Sequence, residues 1–253
     1  MLDQQFFIKN KKIILAAMLF MVASAMAVLG FVFYKQTVTK NKAVSKDIAL
    51  TQDFNAKILE TINNSQIKEV RLLDDSDHVW GDKNAPVQLI FYGDFDCPFS
   101  AAFYDTLEKV KQDYKDKVKI SFRHYPMRMH DMALPAALAA ECAAEQGKFW
   151  EMYDKLFTDK KNDSMNIDRF NKDAEEISLK IDEFEECIDT EKYKDKIQNQ
   201  WQEGREANVI GTPGTFVDKE QISGATPWED FTDQFGDKQE GLKSVIKRHM
   251  LDK

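Results

Sequence analysis

The sequence predicts an α/β domain built on a parallel strand–helix–strand unit, with a block of helices inserted before its last strands. Three observations carry this prediction. Val87-Gln88-Leu89-Ile90-Phe91-Tyr92 is a short apolar run of the kind that forms a buried strand. Ala101 to Tyr114 places Phe103, Leu107 and Val110 at helical spacing, and Val118 to His124 alternates through Val118, Ile120 and Phe122 as a strand does. A strand, a helix and a strand in this order form a crossover unit, which makes the two strands parallel.

The remaining elements follow in order. From about His130 through Tyr193 to Ala207 the pattern is helical, with breaks expected at Gly147 and at polar turns near Lys160 and Asn171. Phe149, Trp150, Tyr153, Leu156 and Phe157 share one helix face and read as core, and the Ala-rich run 133–144 reads as close helix packing. Glu175-Glu176 and Glu185-Glu186 read as solvated faces. After Gly211-Thr212-Pro213-Gly214 two short strands are expected, Thr215 to Val217 and Gln221 to Ser223, followed by a helix to the C-terminus. No internal repeat is present.

Composition fits a folded body: 43% hydrophobic and 31% charged residues. Charge is unevenly placed, +6 over residues 1–46 and −14 over the rest of a chain whose total is −8. An acidic domain argues against a nucleic-acid partner, which needs a basic face for phosphate. Ile13 to Tyr34 is a run of 22 residues without a charge. As a helix it would span a hydrocarbon core of about 30 Å. Small-residue sites near Ala27 suit signal cleavage, but Val28 to Tyr34 continue the apolar run past them, which favours an uncleaved anchor. Lysines flank both ends, so charge does not fix the orientation, and a long C-terminal domain is expected on the extracytoplasmic side. The domain plan is therefore a short segment 1–12, an anchor 13–34, a polar linker 35–68 and a domain 69–253 whose helical insertion spans about 130–207. The alternative is a secreted protein cut near Ala27.

The chemistry centres on Cys97-Pro98-Phe99-Ser100, between the first strand and its helix. Proline favours the first helical position, which makes Cys97 the N-cap. Unpaired backbone N–H groups and the positive end of the helix dipole then favour the thiolate, the form that attacks. The bland alternative is an inert buried cysteine. Thr212-Pro213, before a strand, suits a cis peptide bond. The four histidines, His78, His124, His130 and His249, show no metal spacing with one another or with cysteine, and no cofactor motif is present.

Several segments together resemble one family. They are Gly81-Asp82-Lys83-Asn84-Ala85-Pro86-Val87, then Tyr92-Gly93-Asp94-Phe95-Asp96 leading into Cys97-Pro98-Phe99, then Phe122-Arg123-His124-Tyr125-Pro126. The helical stretch Ala136 to Ala144, Glu145 to Trp150, Gly211 to Gly214 and Ile222-Ser223-Gly224-Ala225 complete the series. In order, over roughly residues 68–250, they resemble the DsbA-like branch of the thioredoxin superfamily. The resemblance implies a thioredoxin fold with a helical insertion and a cis-Pro loop, Thr212 and Pro213, facing the active-site Cys97. It also implies thiol-disulfide exchange on client proteins, and it leaves room for a membrane redox partner.

Two positions depart from the family. Ser100 stands where the second cysteine of Cys-x-x-Cys would be, and Phe91 stands where the family usually carries a buried Glu. Both losses remove dithiol machinery, so the expected chemistry is that of a single thiol: mixed-disulfide formation at Cys97, isomerase- or reductase-like. Cys142 and Cys187 are often Cys in the family, which implies a structural disulfide worth roughly 4 kcal/mol on the chain-entropy model. The other reading makes Cys142 a distant resolving thiol. The rival function is a non-catalytic module that binds or chaperones unfolded clients.

Overall fold

The computed structural model describes residues 68–222 and 224–251. The expected anchor 13–34, most of the linker and Ser223 lie outside the described residues. Among the described residues no helix is long and apolar enough to cross a membrane.

The sheet contains β1 (His78–Trp80), β2 (Val87–Gly93), β3 (Val118–His124), β4 (Gly214–Val217) and β5 (Glu220–Ile222), in the spatial order β1-β3-β2-β4-β5. β2 and β3 are parallel, with Val87 opposite Val118 and Gly93 opposite His124. Helix α1 (Pro98–Asp113) makes the crossover between them. β1 and β4 run antiparallel on either side, and β5 pairs with β4. This is the sheet the family resemblance implies.

The strict alternation of a strand explains how β2 serves two cores. Val87, Leu89 and Phe91 join the larger core with Phe103, Leu107 and Val110 of α1 and Phe122 of β3. Ile90 and Tyr92 point the other way, into a smaller cluster with Val70, Tyr125, Val209 and Phe216. That second face is closed partly by the segment before β1. Arg123, fully buried, donates from Nε and Nη2 to the Asp77 carboxylate at 2.8 and 3.0 Å, and from Nη1 to the Arg71 carbonyl and Tyr92 hydroxyl, both at 2.9 Å.

The insertion between β3 and β4 consists of α2 (Ala133–Glu145), α3 (Phe149–Lys161), α4 (Ile167–Glu176), α5 (Ile181–Asp189) and α6 (Lys194–Glu206). The breaks at Gly147 and near Lys160 fall close to where the sequence puts them, but the break expected near Asn171 does not occur. Asn171 lies inside α4, and its amide donates to Glu185 of α5 at 3.0 Å. The chain turns instead after Glu176, at Ser178, whose φ is +62°. Asp163, Glu191 and Asn208 close other helices in the same left-handed conformation. Such C-terminal turns usually carry glycine, and without one the sequence gives little sign of them.

Two further differences lie near the ends. The sequence does not predict β1, because three residues are too few for a strand periodicity to show. The region before the last helix holds a two-stranded ribbon, β6 (Phe231–Thr232) and β7 (Lys238–Gln239), so the C-terminal helix α7 runs only from Leu242 to Leu251. Leu242, Val245 and Ile246 seat it in the larger core.

Candidate active site

Cys97 is the N-cap of α1, with φ −81° and ψ 123°, and Pro98 occupies the first turn. The extended geometry lets the Cys97 carbonyl accept from Ala101 N at 3.0 Å while its own N–H donates to the Asp94 carbonyl at 3.1 Å. No acidic side chain lies in the first turn of α1. The sulfur is the free one among the three cysteines, and the residue is 3% exposed. Its Sγ donates to the carbonyl of Thr212 at 3.3 Å, and the Thr212–Pro213 bond is cis. The structure thus brings Cys97 to the adjacent Thr212 and Pro213, with 115 positions between Cys97 and Thr212 in the sequence. Pro98 and Phe99 face solvent, Phe99 at 66% exposure.

Ser100 is fully buried one turn into the helix, where its Oγ accepts a long 3.5 Å contact from Asp94 N. Its hydroxyl can hydrogen-bond but cannot form an S–S bond. Phe91 has rings on several sides: Phe103 and Phe122 edge-on at 5.4 and 5.1 Å, and Phe157 stacked at 6.3 Å. Cys142 of α2 and Cys187 of α5 are bonded to each other, with Cα atoms 5.8 Å apart.

Sequence reasoning missed the acidic residues just before the thiol. Asp94 is buried, and its carboxylate accepts from Asp96 N at 2.9 Å, Met127 N at 2.9 Å and the His130 ring nitrogen Nδ1 at 2.7 Å. Burial pushes this carboxyl above its ordinary value in spite of the donors from His130, Met127 and Asp96. Asp96 bridges to the insertion, accepting from Lys160 Nζ at 2.7 Å and Met132 N at 3.0 Å. In the sequence these carboxylates sit in a turn and look solvent-facing. Nothing in the sequence links Asp94 to His130, 36 positions away.

His124, at the end of β3, belongs to a second polar group. Its Nε2 meets Glu141 Oε1 at 2.9 Å, while Lys196 Nζ and His78 Nε2 reach Glu141 Oε2 at 2.7 and 3.0 Å. Glu141 and Lys196 come from α2 and α6, the two histidines from β3 and β1. Among the described residues no set of three His, Cys, Asp or Glu side chains is arranged to hold a metal ion.

A thioredoxin family model matches residues 73–236, well over half of the chain. The chain belongs to the thioredoxin family. This thioredoxin shares its fold with BdbD of Bacillus subtilis in its oxidised form, at 22% identity and a TM-score of 0.60, covering 72% of this chain and 97% of that one. It likewise shares its fold with the thiol-disulfide exchange protein alpha-DsbA2 of Wolbachia pipientis, at 20% identity and a TM-score of 0.58, covering 71% and 89% of the two chains. Sequence relatives include the Na(+)/H(+) antiporter NhaA 1 of Mycolicibacterium gilvum, 31% identical over 167 residues. NhaA 3 of Salinispora tropica is 35% identical over 144 residues. The first match covers 64% of this chain and 26% of the antiporter, the second 56% and 22%. The chain therefore spans about a quarter of those relatives' length, and ion transport is not carried over from them.

Proposed function

We propose that this DsbA-like thioredoxin performs thiol-disulfide exchange through Cys97 alone. The observation that carries the reading is a lone thiol at a helix N-cap, beside the Thr212 carbonyl and the cis Pro213, with Ser100 in place of a second sulfur. Cys97 attacks one sulfur of a client disulfide; the Cys97–client S–S bond forms and the departing client sulfur leaves with the electron pair. With no resolving thiol in the motif, a second thiol of the client attacks the mixed disulfide and frees Cys97. One S–S bond is lost and one gained over each cycle, so clients are reshuffled without net oxidation. Residues 13–34 would hold the domain at the membrane with the site on the extracytoplasmic side, where clients carry disulfides.

The test is to incubate the protein with a scrambled disulfide client, quench with acid and map adducts by non-reducing mass spectrometry. Adducts at Cys97 and client refolding, both lost in Cys97→Ala, are expected. Refolding that proceeds unchanged in Cys97→Ala sinks the proposal.

A second reading, a client-binding module, draws on the buried sulfur and its apolar surroundings. Phe99, Met129 and Ile210 are exposed at 66%, 77% and 90%, each within two positions of Cys97, His130 or Thr212. Under that reading, Cys97→Ala suppresses client aggregation as well as the wild type does.

A further inference from the structure

Outside the thiol site, two acids are buried against each other where α4 of the insertion packs on α3. Asp159, near the end of α3, and Asp173, within α4, are both buried, and their carboxyls meet side chain to side chain. Two ionised carboxylates in contact away from water repel each other and offer only acceptors to one another. Arg169 answers part of this. Its Nε donates to both Asp159 oxygens, at 3.0 and 3.2 Å, and its Nη1 to Glu176 at 3.1 Å, while Nη2 lies 2.7 Å from Asp173 Oδ1. That last contact is an ion pair without hydrogen-bond alignment, so neither buried Asp173 oxygen has a hydrogen-bond partner among the described residues. Ser164, in the turn between the helices, donates its hydroxyl to Asp159 Oδ1 at 3.1 Å.

The balance of charge points to a proton. Three carboxyls, Asp159, Asp173 and Glu176, face two cations, Arg169 and Lys155, and Lys155 pairs with Glu176. Fully ionised, the group is left with one uncompensated negative charge; one proton makes it neutral. Glu176 is not the place for it, because that residue is exposed and the hydrogen bond from Lys155 holds its carboxyl below the ordinary value. Burial first, and then the facing Asp159, push Asp173 up to about 7, against the pull of Arg169 and Lys155. The other charged groups of the packed elements are turned elsewhere. On α3, Asp154 meets Tyr104, Lys160 meets Asp96 and Lys161 meets Asp105. On α2, Glu141 meets Lys196 and Glu145 meets Lys192. Glu185 of α5 accepts from Asn171, and the other acids of α5 are exposed, as are Asp168, Lys172 and Glu175 of α4.

We propose that Asp159 and Asp173 share one proton and form a pH-sensitive joint of the insertion: with the proton in place the two carboxyls are hydrogen-bonded and fasten α4 to α3, and its loss drives them apart and loosens the α3–α4 turn. The proton comes from solvent and returns to it, so no other reactant is needed. The joint stands one residue before Lys160, from which α3 reaches Asp96 of the thiol loop, but it does not depend on exchange at Cys97. Its value in the closed joint lies above the ordinary 3.8, so its contribution is full below that pH and is lost as pH rises toward 7.

Two measurements on the full chain in detergent test the joint. Carbon-13 NMR of protein labelled at the aspartate carboxyl should show a resonance with its titration midpoint near pH 7, assigned by its loss in Asp173→Asn. Amide hydrogen exchange reads the loosening. The Ser164 amide donates to the Asp159 carbonyl at 2.9 Å across the turn. Asp173→Asn, whose side-chain amide can donate to Asp159 at every pH, should keep that amide protected. The ratio of its protection to that of the wild type should grow about tenfold or more from pH 5 to pH 7, since one proton is worth up to about tenfold per pH unit. Taking the ratio removes the pH dependence of exchange itself and of every other titrating group. Asp159→Asn, which supplies the donor from the other side, replaces Asp173→Asn in both measurements should the latter not fold. The proposal is overturned if the assigned resonance titrates below about pH 5, as an ordinary carboxylate does, or if the protection ratio stays constant from pH 5 to pH 7.

Discussion

At the scale of single residues, Ser100 decides what the thiol can do. It is buried at the second corner of the Cys97–Ser100 turn, where a sulfur could close a bond to Cys97, and it offers a hydroxyl instead. In Ser100→Cys the introduced sulfur is therefore expected to form a disulfide with Cys97 in air. Thiol titration under native conditions should fall to nil, and the variant should oxidise a reduced client that the wild type leaves reduced. A persistent free thiol in the folded variant would count against this geometry. The residues of the site differ in how far the sequence reveals them. Cys97 and Pro98 are legible because proline after a strand marks a helix start, and Thr212-Pro213 because X–Pro is the common setting of a cis bond. Asp94 and His130 are not, because a carboxylate in a turn reads as solvated until tertiary packing buries it.

At the scale of elements, the Glu141 cluster joins the sheet to the insertion. Lys196 Nζ, at 2.7 Å, is the cation that pairs with Glu141. Burial outweighs the contact with Glu141 and holds the His124 ring below its ordinary value, so the neutral ring donates from Nε2. Its Nδ1 has no hydrogen-bond partner among the described residues, and protonation would leave a buried N–H unsatisfied there. Burial opposes the Glu141 charge, yet hydrogen bonds from His124 and His78 hold its carboxyl well below the usual range. The unfolded chain sets the sign for stability. As pH falls below about 6.5 it takes up the histidine proton first, and this group lowers stability toward acid by at most about 1.4 kcal/mol per pH unit. Urea midpoints should accordingly fall between pH 7 and pH 5 relative to those of His124→Gln. Glu141→Ala should cost about 3 kcal/mol by the same measurement, because it strands a charge at a buried junction. Lys196 side-chain exposure of 28% keeps that cost at the low end. No spacing in the sequence announces this cluster, since its four members come from four elements. By contrast β2, α1 and β3 are legible as a unit from apolar periodicity alone. The helix ends at Asp163, Ser178 and Glu191 are not, because they turn in a conformation that glycine usually marks.

At the scale of the whole molecule, two covalent and packing devices hold the insertion to itself and to the sheet. The Cys142–Cys187 bond closes a 45-residue loop between α2 and α5. Replacing both by serine, or reducing the bond, should lower the free energy of unfolding by about 4 kcal/mol, read from urea curves extrapolated to water, with a steeper slope because the uncrosslinked chain unfolds further. Cys97 alkylation in the folded protein should be little changed, since the free sulfur lies elsewhere. The second device is the aromatic seam of Phe91, Phe103 and Phe122 from the sheet half and Phe157 from α3. Its consequence is an asymmetry in the paths open to descendants of this sequence. A second thiol lies one side chain away, at a position already shaped for a small polar group. A glutamate at residue 91 would meet the rings of Phe103, Phe122 and Phe157, and the seam between the two halves would have to be rebuilt first to receive it. A route from this sequence to a dithiol site with a buried acid thus has a locked order, in which the acid can come only after the interior has been rearranged.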